Sequence, residues 1–363
     1  MKKLSHIIPI GSQLAKIVAE CCEANSYPVT PIAAEQMVQG AVNEEVLVRL
    51  EAIANKDPQS AAVLCRPTVR GHLNLQEIHN LCAALEIELP YILSASKGKD
   101  HLESLGCYPT DKVLFPLGAS NSSAVAEWFT SRVIEVRRSF QRGEVSIVGG
   151  TFENIELPLG RELRDSTIGF FGVGAVTTEI LIRLASWNCR FRIFGHKDEL
   201  RIRKDLAVRI GGQPFGSDLV QANIEIQNDK KKFMDGLDIA VIAVPLDDDT
   251  RGMVNSSFLQ HAKRGLVLVN CARQEIVDLP SLIGWQTTQD NLAIYITDTL
   301  EEQVEASGNV ALSDLYQHKH SLEHDSWRVR VTPHVAGNTE EALTGMVKDL
   351  LVQLLSNEKS NLL

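Results

Sequence analysis

Residues 166–177 read Ser166-Thr167-Ile168-Gly169-Phe170-Phe171-Gly172-Val173-Gly174-Ala175-Val176-Thr177. Thr167 to Phe171 is a short apolar run with the length of a buried strand, two glycines follow it at once, and Glu179 to Ala185 then takes up helical spacing. A strand that enters a tight turn and leaves as a helix is the unit from which parallel α/β sheets are built. It also suits a dinucleotide pyrophosphate. Gly172 permits the turn, Gly174 lets backbone approach phosphate, and the helix N-terminus at Val173, Ala175 and Val176 offers free N–H groups. A Gly-x-Gly alone equally well marks a structural turn; the strand before it and the helix after it favour the phosphate reading. Thr177 stands where a third glycine allows close helix–strand packing, so the helix is expected slightly farther out.

The same alternation extends in both directions. Downstream, apolar runs predict strands near 191–194, 238–244, 266–270 and 292–297. Upstream, Ala61 to Cys65 reads as a strand, 73–85 as a helix, 89–93 as a strand ending in the loop 94–98, and 113–116 as another short strand. Ser120 to Ser123 can cap a long amphipathic helix from Ala124 to about Phe140, and 340–355 has the period of a single helix. The expectation is two doubly wound, Rossmann-like α/β domains with parallel sheets. Residues 113–338 form a dinucleotide-binding domain inserted into a substrate-binding domain of residues 1–112 and 339–363, with the active site in the cleft between them at the carboxyl ends of the strands.

Bulk properties agree with two globular domains. The chain has 363 residues, more than one core usually supports, with 44% hydrophobic and 23% charged residues. Its net charge of −10 gives nucleic-acid phosphate no general attraction. Pro9, Gln13 and Lys16 break the apolar run that a signal peptide or membrane span requires, so a cytosolic protein is expected. The seven cysteines show no metal-ligand spacing and read as reduced, buried thiols; no metal site is expected.

Cofactor preference turns on the strand 191–194. An acid about 20 residues past the glycines grips the ribose hydroxyls of NAD in such folds. Here Gly195 stands in that place, followed by His196 and Lys197, with Arg201 and Arg203 farther on. A pocket without a carboxylate and with nearby cations favours NADP over NAD; a solvated His196-Lys197 loop with loose cofactor choice is the other reading.

Taken together, five ordered motifs resemble the D-2-hydroxyacid dehydrogenase family, which includes phosphoglycerate dehydrogenase, glyoxylate reductase and formate dehydrogenase. They are Ser120 to Glu127, Gly172 to Gly174, Pro245-Leu246 with Thr250-Arg251-Gly252, Asn270-Cys271-Ala272-Arg273 with Val277-Asp278, and Thr332-Pro333-His334-Val335-Ala336-Gly337. The match covers roughly residues 90 to 345; the first 90 share only the βα rhythm.

The resemblance implies hydride transfer between a nicotinamide cofactor and a small 2-keto or 2-hydroxy acid, a diacid among the candidates. Such a reaction needs a cation on the carboxylate and a proton donor at the carbonyl oxygen. Arg273 is implied as the bidentate carboxylate ligand and His334 as the proton carrier. Val244, Pro245, Thr250, Cys271, Ala272, Asp298 and Gly337 are implied to line the cofactor, with Asp298 meeting the nicotinamide amide. Ser96, Lys97 and Gly98 occupy the place of the substrate loop. Lys97 reads equally as a surface lysine, and Arg66 and Arg70 are further candidates for a second acidic group.

The family pairs its histidine with a glutamate five residues after the aspartate; here Gln303 stands there. Gln303 can orient His334 without lending it negative charge, as in formate dehydrogenases, unless a shift of one or two residues brings Glu301 or Glu302 into place. The connection from 304 to 329, with His318, His320 and His324, reads as a solvated loop able to act as a rim or lid. The resemblance implies a homodimer through the helix after Ser123. Two rival readings stand beside the reductase: a formate-dehydrogenase-like oxidoreductase, and a non-catalytic dinucleotide-sensing regulator.

Overall fold

Every strand pairing among the described residues is parallel. The computed structural model describes residues 6–9, 12–24, 30–31, 46, 50–51, 61–65, 73–96, 102–150, 152, 159–195, 199–210, 224–288, 293–301, 309–321 and 328–360. They divide into two compact units. One takes the chain up to Asn121 and from Asn338 onward; the other takes Ser122–Glu301 and Val310–Gly337.

The first unit is built on β1 (His6–Pro9), β2 (Thr30–Pro31), β3 (Ala61–Cys65), β5 (Tyr91–Ser94) and β7 (Val113–Leu114), in the order β2-β1-β3-β5-β7. Two-residue strands β4 (Leu73–Asn74) and β6 (Leu102–Glu103) pair separately. Helix α1 (Ser12–Ala24) covers one face and α2 (Leu75–Ala84) the other, so β3 is apolar along its whole length, as a strand covered on both faces must be. Asn74 caps α2, its side chain accepting from the Gln76 and Glu77 N–H groups. The C-terminal helix, Glu340–Ser360, returns to this unit. Its Val347, Leu350 and Leu354 are buried with Ile7, Leu14, Leu64 and Leu93, and Asp349 accepts from the Gly118 N–H at 2.9 Å.

The second unit is a seven-stranded sheet of β8 (Thr167–Phe171), β9 (Arg190–Phe194), β10 (Ile224–Gln227), β11 (Ile239–Ile242), β12 (Val267–Asn270), β13 (Ile294–Thr297) and β14 (Val329–Val331). The order β10-β9-β8-β11-β12-β13-β14 starts at the centre, winds out one way and then crosses to the other side. The switch between β8 and β11 is where such folds open a crevice at the strands' carboxyl ends. Phe171 packs edge-on against Phe233 at 4.8 Å and against Phe258 at 5.0 Å, and Phe194 meets the same two rings. Gly169 is required by that packing, since a Cβ there would sit 2.4 Å from the Leu237 side chain.

Four expectations are corrected. The boundary at 112/113 moves to Ser122, because Val113-Leu114 pairs with β5 in the first unit's sheet. The long helix is two, Ser122–Arg138 and Phe140–Val148, separated by Ser139 at φ 55°. Strands β10 and β14 were not anticipated: Ile-Glu-Ile-Gln alternates as a half-exposed edge does, and Val-Arg-Val is only three residues long. The 304–329 connection is not a solvated loop where described. It holds a turn at Val310–Leu312 and a helix at Asp314–Ser321. His318 on that helix is 7% exposed, its Nε2 2.8 Å from Gln286 Oε1. His324 lies outside the described residues.

Burial, reinforced by the nearby Arg328 charge, lowers the proton affinity of His318 below its usual 6.5. A base whose pKa falls on folding contributes stability that is complete above the unfolded value and lost as pH drops toward the folded one. Stability is therefore expected to decline as pH falls below 6.5, and His318→Gln, which keeps an N–H for Gln286, should flatten the decline in denaturation measured across pH. An equal slope in the variant would assign it to other groups. Phe171→Ala is expected to cost about 3–5 kcal/mol through the lost ring and the cavity it leaves, read as a lower denaturant midpoint.

Candidate active site

The register of the second sheet brings the site's loops to one edge. Phe194 pairs with Phe171, Phe171 with Ile242, Ile242 with Asn270, Asn270 with Thr297 and Thr297 with Val331, so these strands end level. From that edge emerge Gly172–Ala175, Ala243–Thr250, Cys271–Arg273, Asp298 and Thr332–His334. Arg273 and His334 leave β12 and β14, two strands apart, or about 10 Å at the usual spacing.

Gly172 has φ +100°, and a Cβ there would meet Val244 Cγ1 at 2.7 Å and the Ala243 carbonyl oxygen at 3.0 Å. The turn is a cradle that only glycine fits, and it aims the chain into helix Ala175–Leu184. Gly174 is the N-cap, with no side chain to occupy the helix's first N–H groups. An incoming phosphate matches these features, so the residues fit the dinucleotide read from the sequence. Thr177 is fully buried and uses its hydroxyl to donate to the Gly172 carbonyl at 3.0 Å, so its extra bulk is absorbed as a brace for the turn.

On β11's far side, Thr250 folds the 245–250 loop back on itself, donating to the Pro245 carbonyl at 2.7 Å and accepting from the Asp247 N–H at 2.9 Å. Its hydroxyl thus shapes the loop that presents Val244 and Pro245. Cys271 extends the ladder by donating its N–H to the Ile242 carbonyl, and Asn270 Oδ1 accepts from the Ala272 N–H. Arg273 follows in extended conformation, φ −128° and ψ 146°, half-buried.

Asp298 is 4% exposed, and burial pushes its carboxyl above the usual range against the pull of its hydrogen bonds. Both oxygens are engaged: Oδ1 accepts from the Thr332 hydroxyl and the Val335 N–H, and Oδ2 from the Ala336 N–H. The Asp298 carbonyl also accepts from the His334 N–H at 2.9 Å. Asp298 therefore shapes the loop that carries His334. That histidine is exposed and sits at φ 54°, a left-handed conformation the loop's hydrogen bonds hold. Trp128, which sequence reasoning missed, donates its indole N–H to Thr332 Oγ1 at 3.0 Å. Its signal was only an aromatic within an amphipathic helix.

Glu301 does not pair with His334. Its carboxylate accepts from the Ser313 hydroxyl and the Leu315 N–H, anchoring the start of helix Asp314–Ser321. In the first unit, Ser94 Oγ donates to the Ser96 carbonyl and Ala95 N–H to Cys65, which shapes the loop after β5. Gly337 follows the His334 loop and is half-buried. Arg66, Arg70, Lys97, Gly98, His196, Lys197, Glu302 and Gln303 lie outside the described residues. Among the described residues, no three His, Cys, Asp or Glu side chains are grouped to hold a metal ion.

Gly172→Ala is expected to weaken dinucleotide binding about 10-fold or more, because the positive φ and the close Val244 contact impose roughly 1–3 kcal/mol of strain. Fluorescence titration with the reduced cofactor reads this directly; unchanged affinity would remove the turn from the site.

Comparison with known proteins follows the same outline. The chain is 25% identical over 279 residues to a mitochondrial formate dehydrogenase of Solanum tuberosum, covering 74% of this chain and 65% of that protein. It is 22% identical over 293 residues to a D-specific alpha-keto acid dehydrogenase of Enterococcus faecalis, covering 80% and 82%. The fold matches that of a D-2-hydroxyisocaproate dehydrogenase, with a TM-score of 0.72 at 16% identity and 97% of each chain covered. It also matches an NAD-complexed D-isomer specific 2-hydroxyacid dehydrogenase from Lactobacillus delbrueckii ssp. bulgaricus, with a TM-score of 0.71 at 16% identity, covering 99% of this chain and 98% of that one. Residues 130–336, more than half of the chain, match the NAD binding domain model of the D-isomer specific 2-hydroxyacid dehydrogenases, and the chain belongs to that family.

Proposed function

We propose that the chain reduces a small 2-keto acid to its 2-hydroxy acid, using a nicotinamide cofactor seated on the Gly172 turn. One observation carries this: Arg273 and His334 leave β12 and β14, two strands apart, at the same sheet edge as that turn, on backbone held by Asn270 and Asp298. The bound cofactor supplies the hydride to the carbonyl carbon. Arg273 grips the carboxylate through two charge-assisted hydrogen bonds and so orients the carbonyl. His334, protonated, gives its proton to the carbonyl oxygen as the alcohol forms. Asp298 acts on His334 from behind, through the loop it holds.

NADP is the proposed cofactor form. Gly195, not an acid, follows β9, and Arg201 is exposed on helix Glu199–Ile210 nearby. Arg203 contributes less, since its guanidinium is paired with Glu199 and the Ile224 carbonyl. A homodimer is proposed through Ser122–Arg138 and Phe140–Val148, where Phe140, Val145, Ile147 and Val148 are exposed on one short helix; light scattering at a dimer mass is its readout.

A second reading, formate oxidation, has its own support. The curated relatives include formate dehydrogenases, of whose length the chain spans 65% in the potato protein.

Oxidation of NADPH and NADH across a panel of 2-keto acids, with formate assayed in the reverse direction, separates the two. Turnover with a keto acid and lower KM for NADPH is expected. Arg273→Ala should lose about 100-fold or more in kcat/KM, as two hydrogen bonds to a charged group of about 1.5–3 kcal/mol each predict. His334→Gln should lose about 100- to 10,000-fold. Turnover of formate alone, insensitive to His334→Gln, would replace the reductase reading.

A further inference from the structure

Tyr295 carries a hydroxyl where packing asks for none. It lies on β13, fully buried in the apolar cluster that holds Leu268, Ile276 and Trp285, and phenylalanine would fill the same volume. The phenol instead accepts from Asn270 Nδ2 at 3.1 Å and donates to Gln274 Oε1 at 2.8 Å. Asn270, also fully buried, donates to the Arg273 carbonyl at 2.8 Å and accepts from the Ala272 N–H at 2.9 Å. Asn270 thus holds the backbone of residues 272 and 273, and Tyr295 ties Asn270 to the side chain of residue 274.

We infer that Tyr295 is a positioning residue for Arg273: the Asn270–Tyr295–Gln274 strut fixes the backbone from which the guanidinium leaves, and with it the aim at the substrate carboxylate. The inference rests on the carboxylate role proposed for Arg273. Arg273 sits between the end of β12 and the turn Gln274–Ile276, so no regular hydrogen-bond ladder sets its direction. A small rotation of backbone there swings a long side chain, and a bidentate contact with a carboxylate depends on that geometry for its strength. Gln274 supplies the second observation. It is 2% exposed, and its Nε2 has no hydrogen-bond partner. A buried amide nitrogen left unpaired is unfavourable, so a residue serving volume alone would be methionine or leucine. The glutamine earns its place through the Tyr295 contact.

Tyr295→Phe removes the bridge while keeping the ring. KM for the keto acid, and Kd for oxamate, a non-reducible isostere of a short keto acid, measured with cofactor present, are expected to rise about tenfold, with kcat within about twofold. Cofactor Kd should not change. In Tyr295→Phe/Gln274→Met both buried partners become apolar, so thermal stability should return toward that of the unmodified protein while the raised KM and oxamate Kd persist. Unchanged oxamate Kd in Tyr295→Phe overturns the inference, as does a binding defect that disappears in the double variant together with the stability loss. Should the unmodified protein bind oxamate through Arg273 yet turn over no keto acid, the reductase reading fails, and the Tyr295→Phe oxamate Kd still decides the strut. Absence of oxamate binding by the unmodified protein overturns the strut as well.

Discussion

The level carboxyl ends of parallel strands are the constraint on which the site depends. Parallel strands joined by right-handed crossovers send every other connection to the same edge of the sheet. Here the pairing runs unbroken from Phe194 through Phe171, Ile242, Asn270 and Thr297 to Val331. Strands β8, β11 and β12 are buried along their whole length, so a slip of one residue would exchange the side chains on their two covered faces and lose fits such as that of Gly169 against Leu237. The Gly172 turn, Arg273 and His334, separated by 162 positions in sequence from first to last (334 − 172), are thereby held within a few strand widths.

Below that edge the protein invests buried polar groups. Asp298 is desolvated at a cost to its charged form and spends both oxygens on the 332–336 segment, with Trp128 completing the set through Thr332. Asn270, Tyr295 and Gln274 do the same beneath Arg273. A hydrogen-bonded buried network favours one geometry, whereas an apolar contact tolerates sliding; loops that must present a charge in one direction gain from the former. Glu301 shows the reverse choice. Its carboxylate supports a helix start, accepting from the Ser313 hydroxyl and the Leu315 N–H.

The helix Asp314–Ser321 and β14 make the same point about context. His318, Gln286 and Arg328 join helix, neighbouring helix and strand through buried hydrogen bonds, with Gln286 donating to the Ala293 and Arg328 carbonyls and Arg328 donating to that of Gln286. Each partner is polar and unremarkable in its own stretch, and the connection looks like a loop until the partners 32 and 42 positions away are brought to it.

The order of motifs was legible from sequence because each rests on local chemistry. A glycine pair after an apolar strand, an arginine just past another, and Thr332-Pro333-His334 keep their meaning in any compact setting, since turn geometry and charge belong to the residues themselves. Alternating apolar runs likewise announced the parallel sheets. What tertiary structure alone decided is which polar side chain serves which partner. Thr177 braces a turn, Asp298 holds a loop, Glu301 caps a helix, Val113-Leu114 joins the first sheet, and Tyr295 reaches Gln274 across β12 and β13. Those pairings are hydrogen bonds between strands and loops far apart in the chain, and their distances exist only once the register of the sheet has closed.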